Sequence, residues 1–529
     1  MAARMAIRRF IARFGLAGLL IALVAACAPD SAGVPQDVLV VGQVAEPQSL
    51  DPATVTAVND FRILVNLYEG LVRYAPDSLE VEPAIAESWT ISEDGRIYTF
   101  TLRKGLTFHD GTPVDAAAVK FNFDRMLDEN HPMHEETGPF PLAFFFDAIE
   151  KTEALDDHTV RFTLTQPYAP FLSNLAYPPG MIVSPAAVRK YGARFGRNPV
   201  GSGPFAFTAW ESNVKVVLHE FDGYREPTNS ARVLVFRPIT DGNARVAAML
   251  SGELDLMVEV PPDSLALFEN KPAEFTVHEQ VGPHVWFLIL NMRREPFSDP
   301  RMRQAVNLAV NKQAIVDNVL QGTATVAAGP TPEAFGWAHN DALEPWPYDP
   351  EKAKALIGAA GYDGEPLMFY VAEGGSGMLQ PVAMATAIQA DLAKVGIPTV
   401  IETYEWNTYL SRVNAGLDEA DMAEMAWMTN NPDTLPYLTL RTGAFPDQGG
   451  FNSGYYSNPK VDELIERART ATDRGLRAAL YKQMQQIVHD DAPWLFVANW
   501  KQHAVTAADV RGFDLHPSFL LFLENVHKP

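Results

Sequence analysis

The chain contains a single cysteine, Cys27, in 529 residues. The sequence after Cys27 can therefore form no internal disulfide and no cysteine zinc site. Its fold must be stabilised by the packing of a hydrophobic core. Hydrophobic residues make up 47% of the chain and charged residues 20%, a balance typical of globular proteins. The length predicts about three domains.

The amino-terminal segment has the pattern of an export signal. Four arginines and no acidic residue precede an apolar run from Phe14 to Ala26. That run is too short for the ~20-residue helix that spans a bilayer. It ends in Val-Ala-Ala-Cys, which resembles the lipobox of bacterial lipoproteins, so we expect a signal peptide over residues 1–26, lipidation at Cys27 and a linker over residues 27–37. The alternative is an ordinary Ala-x-Ala signal with an incidental cysteine.

The charge of the chain limits its partners. Acidic residues number 65 against 42 basic residues, which gives a formal net charge of −23. Because binding to nucleic acid depends on neutralising phosphates, so acidic a body predicts no nucleic-acid partner. A solvated acidic surface keeps a protein soluble and gives no information on its ligand.

Strand and helix patterns alternate along the chain. Alternating apolar and polar positions predict strands at "GRIYTFTLRKGLTF" (95–108) and "HTVRFTLTQPY" (158–168). Apolar residues at three- and four-residue spacing predict helices, which we place at "TPVDAAAVKFNFDRMLDE", "DPRMRQAVNLAVNKQAIVDNVL", "VAMATAIQADLAKVG" and "NPKVDELIERARTA". Gly396 is the expected carboxyl-terminal cap of the third helix. Intermixed strands and helices indicate an α/β protein.

The sequence contains no constellation typical of an enzyme. The turn at His109-Asp110 is explained by local structure, because no serine nucleophile motif accompanies it. "HPMHEE" brings His131 and His134 close together, but Pro132 favours a surface loop over a metal site. We therefore expect no catalytic residue, no metal and no cofactor.

Five segments together resemble a known family. They are "LYEGLVRY", "PAIAESWTISEDGRIYTFTLRKGLTFHDGTPVDAAAVKFNFDRML", "NPVGSGPFAFTAW", "REPFSDPRMRQAVNLAVNK" and "YYSNPKVDELIERAR". In this order they resemble the extracytoplasmic solute-binding proteins of family 5, the peptide, dipeptide, glutathione and nickel receptors of ABC importers. The resemblance extends from about Val38 to about Val505.

The resemblance implies a two-lobed periplasmic-binding-protein fold, type II-like (cluster C), with an extra inserted subdomain. The first lobe would comprise residues 38–66, 198–283 and 496–529, and the inserted subdomain residues 67–197. The second lobe would comprise residues 284–495. Two chain crossings would form a hinge, and the solute would favour the closed state by contacting both lobes. We expect a monomer.

The resemblance also suggests where the solute binds. In the family's peptide receptors, an acidic residue shortly after an aromatic pairs with the α-ammonium of the peptide. The matching segment here is Trp427-Met428-Thr429, but the acid falls on Asn430, with Asp433 as the nearby carboxylate. An asparagine cannot neutralise a buried ammonium, which puts recognition of a free amine in doubt.

Two further segments bear on the cleft. Some members hold the other end of a dipeptide with an arginine, but "VAEGGSGMLQP" (371–381) contains no basic residue. Its glycines either let backbone N–H groups approach a carboxylate or simply form a loop. Glu46 ends the first strand, whose end faces the cleft in relatives, and is either a ligand contact or a turn carboxylate.

The sequence therefore predicts a periplasmic, membrane-anchored lipoprotein that captures a peptide or peptide-like solute. Its expected partners are that small solute, an ABC permease and ATPase, and the membrane through the lipid anchor. The alternatives are a non-peptide solute (a metal chelate, haem, an opine or a sugar) and a chemosensory or chaperone role.

Overall fold

The computed structural model describes residues 37–529 apart from residues 376, 379 and 418. The predicted signal peptide, the lipidation site Cys27 and almost all of the predicted linker lie outside the described residues. Within the described part of the chain, no helix is both long enough and apolar enough to cross a bilayer.

Strands and helices are distributed over the whole described chain. The strands are β1 (Val38–Gln43), β2 (Val72–Tyr74), β3 (Val81–Pro83), β4 (Ala86–Ile91), β5 (Ile97–Leu102), β6 (Ile149–Asp156), β7 (Thr159–Leu164), β8 (Phe205–Glu211), β9 (Lys215–Glu220), β10 (Val233–Pro238), β11 (Leu256–Val258), β12 (Phe275–Val281), β13 (His284–Leu290), β14 (Ala324–Val326), β15 (Leu367–Ala372), β16 (Thr399–Tyr404), β17 (Met422–Met428) and β18 (Trp494–Ala507). The α-helices are Val58–Leu67, Ala116–Leu127, His134–Thr137, Phe171–Ala176, Pro185–Tyr191, Gly242–Leu250, Leu265–Glu269, Pro300–Ala309, Lys312–Ala314, Pro350–Ala360, Pro381–Lys394, Trp406–Asn414, Thr434–Thr439, Pro459–Thr470 and Arg474–Asp491.

The predicted helices are present, with one correction. Asp115 and Asn458 accept hydrogen bonds from the first-turn N–H groups of the helices that follow them. Gly396 follows the helix Pro381–Lys394 in a left-handed conformation (φ 86°), as expected. The single helix predicted over residues 299–320 is wrong. Its α-helix ends at Ala309, because Asn311 caps a new helical segment by accepting from Ala314 N–H.

A 12-stranded sheet forms the centre of the molecule, in the order β16-β15-β17-β13-β18-β11-β1-β10-β9-β8, with β12 and β14 also paired to β18. We call β8–β12, β1 and the end of β18 the first half-sheet, and β13–β17 and the start of β18 the second half-sheet. A separate antiparallel sheet, in the order β4-β5-β7-β6, belongs to the segment inserted between β1 and β8.

The long strand β18 belongs to both half-sheets. Its residues Trp494–Ala498 pair with β13, and residues 501–507 pair with β12. The chain crosses between the halves a first time between the consecutive strands β12 and β13. It crosses a second time within β18, which pairs with both of them. Gly282 lies at this crossing, where a Cβ atom would lie 2.0 Å from the ring of Phe519. Only glycine allows that close approach.

Each half-sheet has its own hydrophobic core. One large cluster takes its residues from 39–236, 256–258 and 504–526, and a smaller one around Met249 and Phe268 covers the other face of the first half-sheet. The second large cluster extends from Val285 to Ala498. The α/β class is confirmed, whereas the exact lobe boundaries stay a prediction.

A buried carboxyl group on β17 couples the stability of the second half-sheet to pH. Glu424 accepts a hydrogen bond from Ala372 N–H at 2.8 Å through one oxygen, and its other oxygen has no partner among the described residues. Burial raises the pKa of Glu424 to about 8. The native state therefore favours the protonated carboxyl.

We predict that Glu424→Gln removes part of the loss of stability at rising pH. The native pKa lies above the unfolded value, so the contribution of Glu424 is complete below about pH 4 and is lost as pH rises towards 8, by at most ~1.4 kcal/mol per pH unit. Urea unfolding between pH 5 and 8 should show a flatter pH dependence for Glu424→Gln than for wild type. Exposed Glu344→Gln is the control, and parallel curves for wild type and Glu424→Gln would contradict the assignment.

Candidate functional site

A cavity of about 840 Å³ lies between the two half-sheets. The first-half side contributes residues from the segment after β1, the helix Val58–Leu67 and the segment after β11. The second-half side contributes residues from β13, the glycine loop after β15 and the end of β17. The lining residues are Val44, Ala45, Thr56, Ala57, Val58, Asn59, Arg62, Tyr177, Thr240, Glu259 and Phe519 on the first side, His284, Gly374, Gly375, Gly377, Ala426, Trp427 and Met428 on the second, and Trp500 of β18.

A second cavity, of about 310 Å³, continues the first. The two share Glu259, Gly375, Gly377 and Trp500. Gly375 and Gly377 therefore form part of the wall of both cavities, and they place no side chain between the backbone and the cavity.

The charged side chains of the walls come from the first half. Arg62 Nη1 donates to Glu259 Oε1 at 2.6 Å, and its Nε donates to the backbone carbonyl of Phe519 at 3.1 Å. Arg245, in the second cavity, donates to the carbonyl of Glu259 at 2.9 Å. Both arginines are buried. The polar groups of this wall are thus held in place by backbone carbonyls.

The imidazole of His284 forms part of the opposite wall. Its Nε2 lies 2.9 Å from the carbonyl of Gly377, so Nε2 carries the proton. Burial lowers the pKa of His284 to about 4, although the Gly377 carbonyl opposes this shift. His284 is therefore neutral at pH 7.

An apolar side pocket of about 230 Å³ opens beside the main cavity on the second side. It shares Ala426 and Trp427 with the main cavity. Its other lining residues include four aromatic rings, those of Phe287, Trp406, Phe451 and Trp494. Such a pocket suits an apolar side group, because ligand sites combine apolar walls with a few polar anchors.

The sequence-predicted residues Trp427, Met428 and Thr429 lie at the end of β17 and just beyond it. Trp427 and Met428 line the main cavity. The Trp427 ring packs edge-on against Phe451, with centroids 5.7 Å apart. Thr429 is buried, and its N–H donates to the carbonyl of Pro283 at the crossing between the halves.

Asn430 lies outside the lining of the cavity, in a cluster of amides that joins the two halves. Its Nδ2 donates to Asn174 Oδ1 at 2.9 Å, and Asn431 Nδ2 donates to the same oxygen at 3.1 Å. Asn174 belongs to the helix Phe171–Ala176 of the inserted segment. The cluster is buried, so it fastens the inserted segment to the end of β17.

Asp433 also lies away from the cavity walls. It forms a buried ion pair with Arg469. Burial raises the pKa of Asp433, and the charge of Arg469 opposes this rise. The guanidinium of Arg469 lies between the rings of Tyr168 and Tyr437, at 4.5 and 3.6 Å from their centroids. Asp433 thus belongs to the contact between the halves.

Glu46 is likewise paired within the protein. Its Oε1 accepts a hydrogen bond from Trp210 Nε1 at 2.6 Å, and its backbone carbonyl accepts from Asn59 Nδ2 at 3.3 Å. Glu46 is not among the residues that line the cavity.

No sequence pattern indicated Arg62, Arg245 or Glu259 as site residues. They lie in a helix, in another helix and in a loop, far apart along the chain. A positive φ at Glu259 (52°) marks it in the structure, but no sequence pattern does. Among the described residues, no group of three His, Cys, Asp or Glu side chains is placed to hold a metal ion.

Two half-sheets joined by a double crossing around a central cleft define a solute-binding protein of the extracytoplasmic type. The chain belongs to the bacterial extracellular solute-binding proteins, family 5, whose middle-region model matches residues 80–448. It is an extracytoplasmic solute-binding protein of the ABC importers, and it is not an enzyme.

Individual relatives cover nearly the whole chain. The Di/tripeptide-binding protein 2 of Pseudomonas aeruginosa is 35% identical over 490 residues, covering 89% of this chain and 91% of the relative. Heme-binding protein A of Haemophilus influenzae is 35% identical over 468 residues, covering 85% of each. The periplasmic binding protein DppA of Helicobacter pylori, solved with the peptide STSA, has a TM-score of 0.78 at 31% identity, covering 93% of this chain and 98% of that one. The predicted periplasmic-binding-protein fold is confirmed.

We predict that Asn430→Asp weakens the contact between the halves. The aspartate would place a carboxylate oxygen against Asn174 Oδ1, where Asn430 now donates, and the lost donor costs ~1–3 kcal/mol. Small-angle scattering should give a larger radius of gyration for Asn430→Asp than for wild type, and solute binding should weaken. Asn130→Asp, in an exposed loop, is the matched control. An unchanged radius for Asn430→Asp would exclude this role of the amide cluster.

Proposed function

We propose that this protein captures a peptide or peptide-like solute in the cleft and delivers it to an ABC importer. The cavity between the half-sheets carries the proposal, because its volume suits a small solute and its walls come from both halves. A solute that contacts both walls favours the closed state. The relatives named for peptides support this class of solute.

The two walls of the cavity offer different chemical groups to the solute. Trp427, Met428 and the aromatic side pocket offer apolar surface, whereas the first side offers Arg62 and Glu259 as polar groups. Asn430 and Asp433 act in closure, since their side chains bond across or beside the contact between the halves.

A test of the function is direct identification of the solute. Native mass spectrometry of the purified protein should detect one bound small molecule with amide groups. Adding that molecule to the stripped protein should reduce the radius of gyration. A saturating solute that leaves the radius unchanged would argue against closure of the cleft.

Haem is the second candidate solute, because the haem-binding relative is as similar as the peptide-binding one. The imidazole of His284, which lines the main cavity, disfavours haem as the solute. Its Nε2 already bonds to the Gly377 carbonyl, and its Nδ1 is buried without a partner among the described residues, so neither nitrogen is exposed to bind the haem iron. Absorbance titration with haemin distinguishes the two, since a Soret shift is expected only for a haem receptor.

We also propose that a lipid on Cys27 anchors the protein to the membrane. The Val-Ala-Ala-Cys motif and the preceding basic and apolar regions support this. Two or more acyl chains give stable anchoring, at ~0.8 kcal/mol per buried methylene, whereas one chain binds only marginally.

We predict that Cys27→Ser moves the protein from the membrane fraction to the soluble fraction or leaves its leader uncleaved. Intact-mass analysis of the wild type should place the acylated Cys27 at the mature amino terminus. Ser31→Ala, just downstream, should leave the fractionation unchanged. An unmodified Cys27, or a mature chain that begins elsewhere, contradicts the anchor.

We predict that Trp427→Ala weakens binding of the co-purifying solute about 10-fold or more. Trp427 lines both the main cavity and the side pocket, and a buried aromatic contact adds ~0.5–1.5 kcal/mol beyond the area it covers. Calorimetry on wild type and Trp427→Ala measures the effect. Trp89→Ala, on the small sheet, is the control, and equal affinities for wild type and Trp427→Ala would remove Trp427 from the site.

A further inference from the structure

Glu259 occupies an unusual position in the cleft. Among the described residues, it is the single carboxylate that lines the main cavity or its 310 Å³ continuation, and it lines both. Its φ of 52° lies in the left-handed region. That conformation is strained for a residue with a Cβ atom, and it persists only where the surroundings fix it.

Two buried arginines fix Glu259 from different sides. Arg62 Nη1 donates to its Oε1 at 2.6 Å, and Arg245 Nη2 donates to its backbone carbonyl at 2.9 Å. Arg245 is itself held by the carbonyl of Ile239 at 2.6 Å. The carboxylate therefore has a defined place in the wall, and the surrounding structure offsets its backbone strain.

The Arg62–Glu259 pair leaves one acceptor and one donor unused. Glu259 Oε2 has no hydrogen-bond partner among the described residues, and the side chain is 28% exposed. Arg62 Nη2 is buried and also lacks a partner within the described chain. The partly exposed Glu259 Oε2 is therefore the group of this pair that a hydrogen-bond donor of the solute can reach.

The charges of the walls disfavour an additional cation. Two guanidinium groups, Arg62 and Arg245, face one carboxylate, and the His284 imidazole is neutral at pH 7. Asn430 and Asp433 line neither cavity, and the amide of Asn430 is bonded to Asn174. Among the described lining residues, the carboxylate that a free ammonium would meet is Glu259, and Arg62 is already paired with it.

We propose that the Arg62–Glu259 pair binds an electrically neutral amide group of the solute. Glu259 Oε2 accepts a hydrogen bond from the amide N–H, and Arg62, whose side chain is fully buried, holds the carboxylate in place. The inference rests on the proposed function, and it narrows the solute to one whose end on the first side is blocked or internal, as in an N-acylated peptide. Glu259 is then a determinant of specificity.

The test compares three probes that differ in charge at their ends. They are N-acetyl-Ala-Leu-amide, which is neutral, N-acetyl-Ala-Leu, which is anionic, and Ala-Leu, which carries a free ammonium and a carboxylate. Calorimetry on the stripped full chain should show that both acetylated probes bind more tightly than Ala-Leu. Tightest binding of Ala-Leu would overturn the inference.

The variant Glu259→Gln tests the role of the residue itself. It should weaken the neutral probe about 10–100-fold, because a hydrogen bond to a charged group contributes ~1.5–3 kcal/mol. It should also shift preference towards the anionic probe, since both arginines then face no carboxylate. The matched control is Glu82→Gln, which removes the carboxylate of another Arg–Glu pair (2.7 Å from Arg73) outside both cavities.

A second variant guards against misfolding. Glu259→Asp keeps the charge but withdraws the carboxylate by one methylene, so it should weaken the neutral probe without the shift towards the anionic one. If the probes bind wild type and neither Glu259 variant differs from Glu82→Gln, the peptide-like function stands and the role of Glu259 is wrong. If no probe binds wild type, the proposed function fails, and the inference fails with it.

Discussion

The pairing of β18 with both β12 and β13 is the constraint on which the rest of the structure depends. One strand of 14 residues hydrogen-bonds to the first half-sheet at its end and to the second at its start. Backbone hydrogen bonds are therefore continuous across the boundary between the two cores. This double crossing joins the halves, and the cavity lies beside it with Trp500 in its wall.

The closure that we propose would involve contacts that do not touch the solute. Away from the cavity, Ala169 N–H donates to the Arg469 carbonyl at 2.8 Å, and Arg474 forms an exposed ion pair with Glu80. An exposed pair contributes only ~0–1 kcal/mol, so the buried amide cluster of Asn174 and Asn430 is the stronger part of this contact. The solute then needs to supply only the remaining free energy that favours the closed state.

Local patterns predicted local structure well and the site only in part. Periodicity and capping residues placed the helix Pro381–Lys394 and its end, because these features depend on neighbours in sequence. The break after Ala309 depended on one side-chain cap at Asn311 and was missed. Trp427 was found through a family motif, whereas Arg62 and Glu259 meet only through the tertiary fold, 197 residues apart in the chain. No spacing rule connects such residues.

The two walls of the cleft carry different chemical groups. In the proposed function, this difference links the choice of solute to the closure of the cleft. The polar pair lies on the first side and the aromatic side pocket on the second. A molecule with only an apolar group can fill the side pocket, but it offers no hydrogen-bond donor to Glu259 Oε2. A molecule with only an amide can bond to the first wall, but it buries little apolar surface against the second. Under the proposed function, a solute with both features contacts both walls favourably and shifts the population towards the closed state.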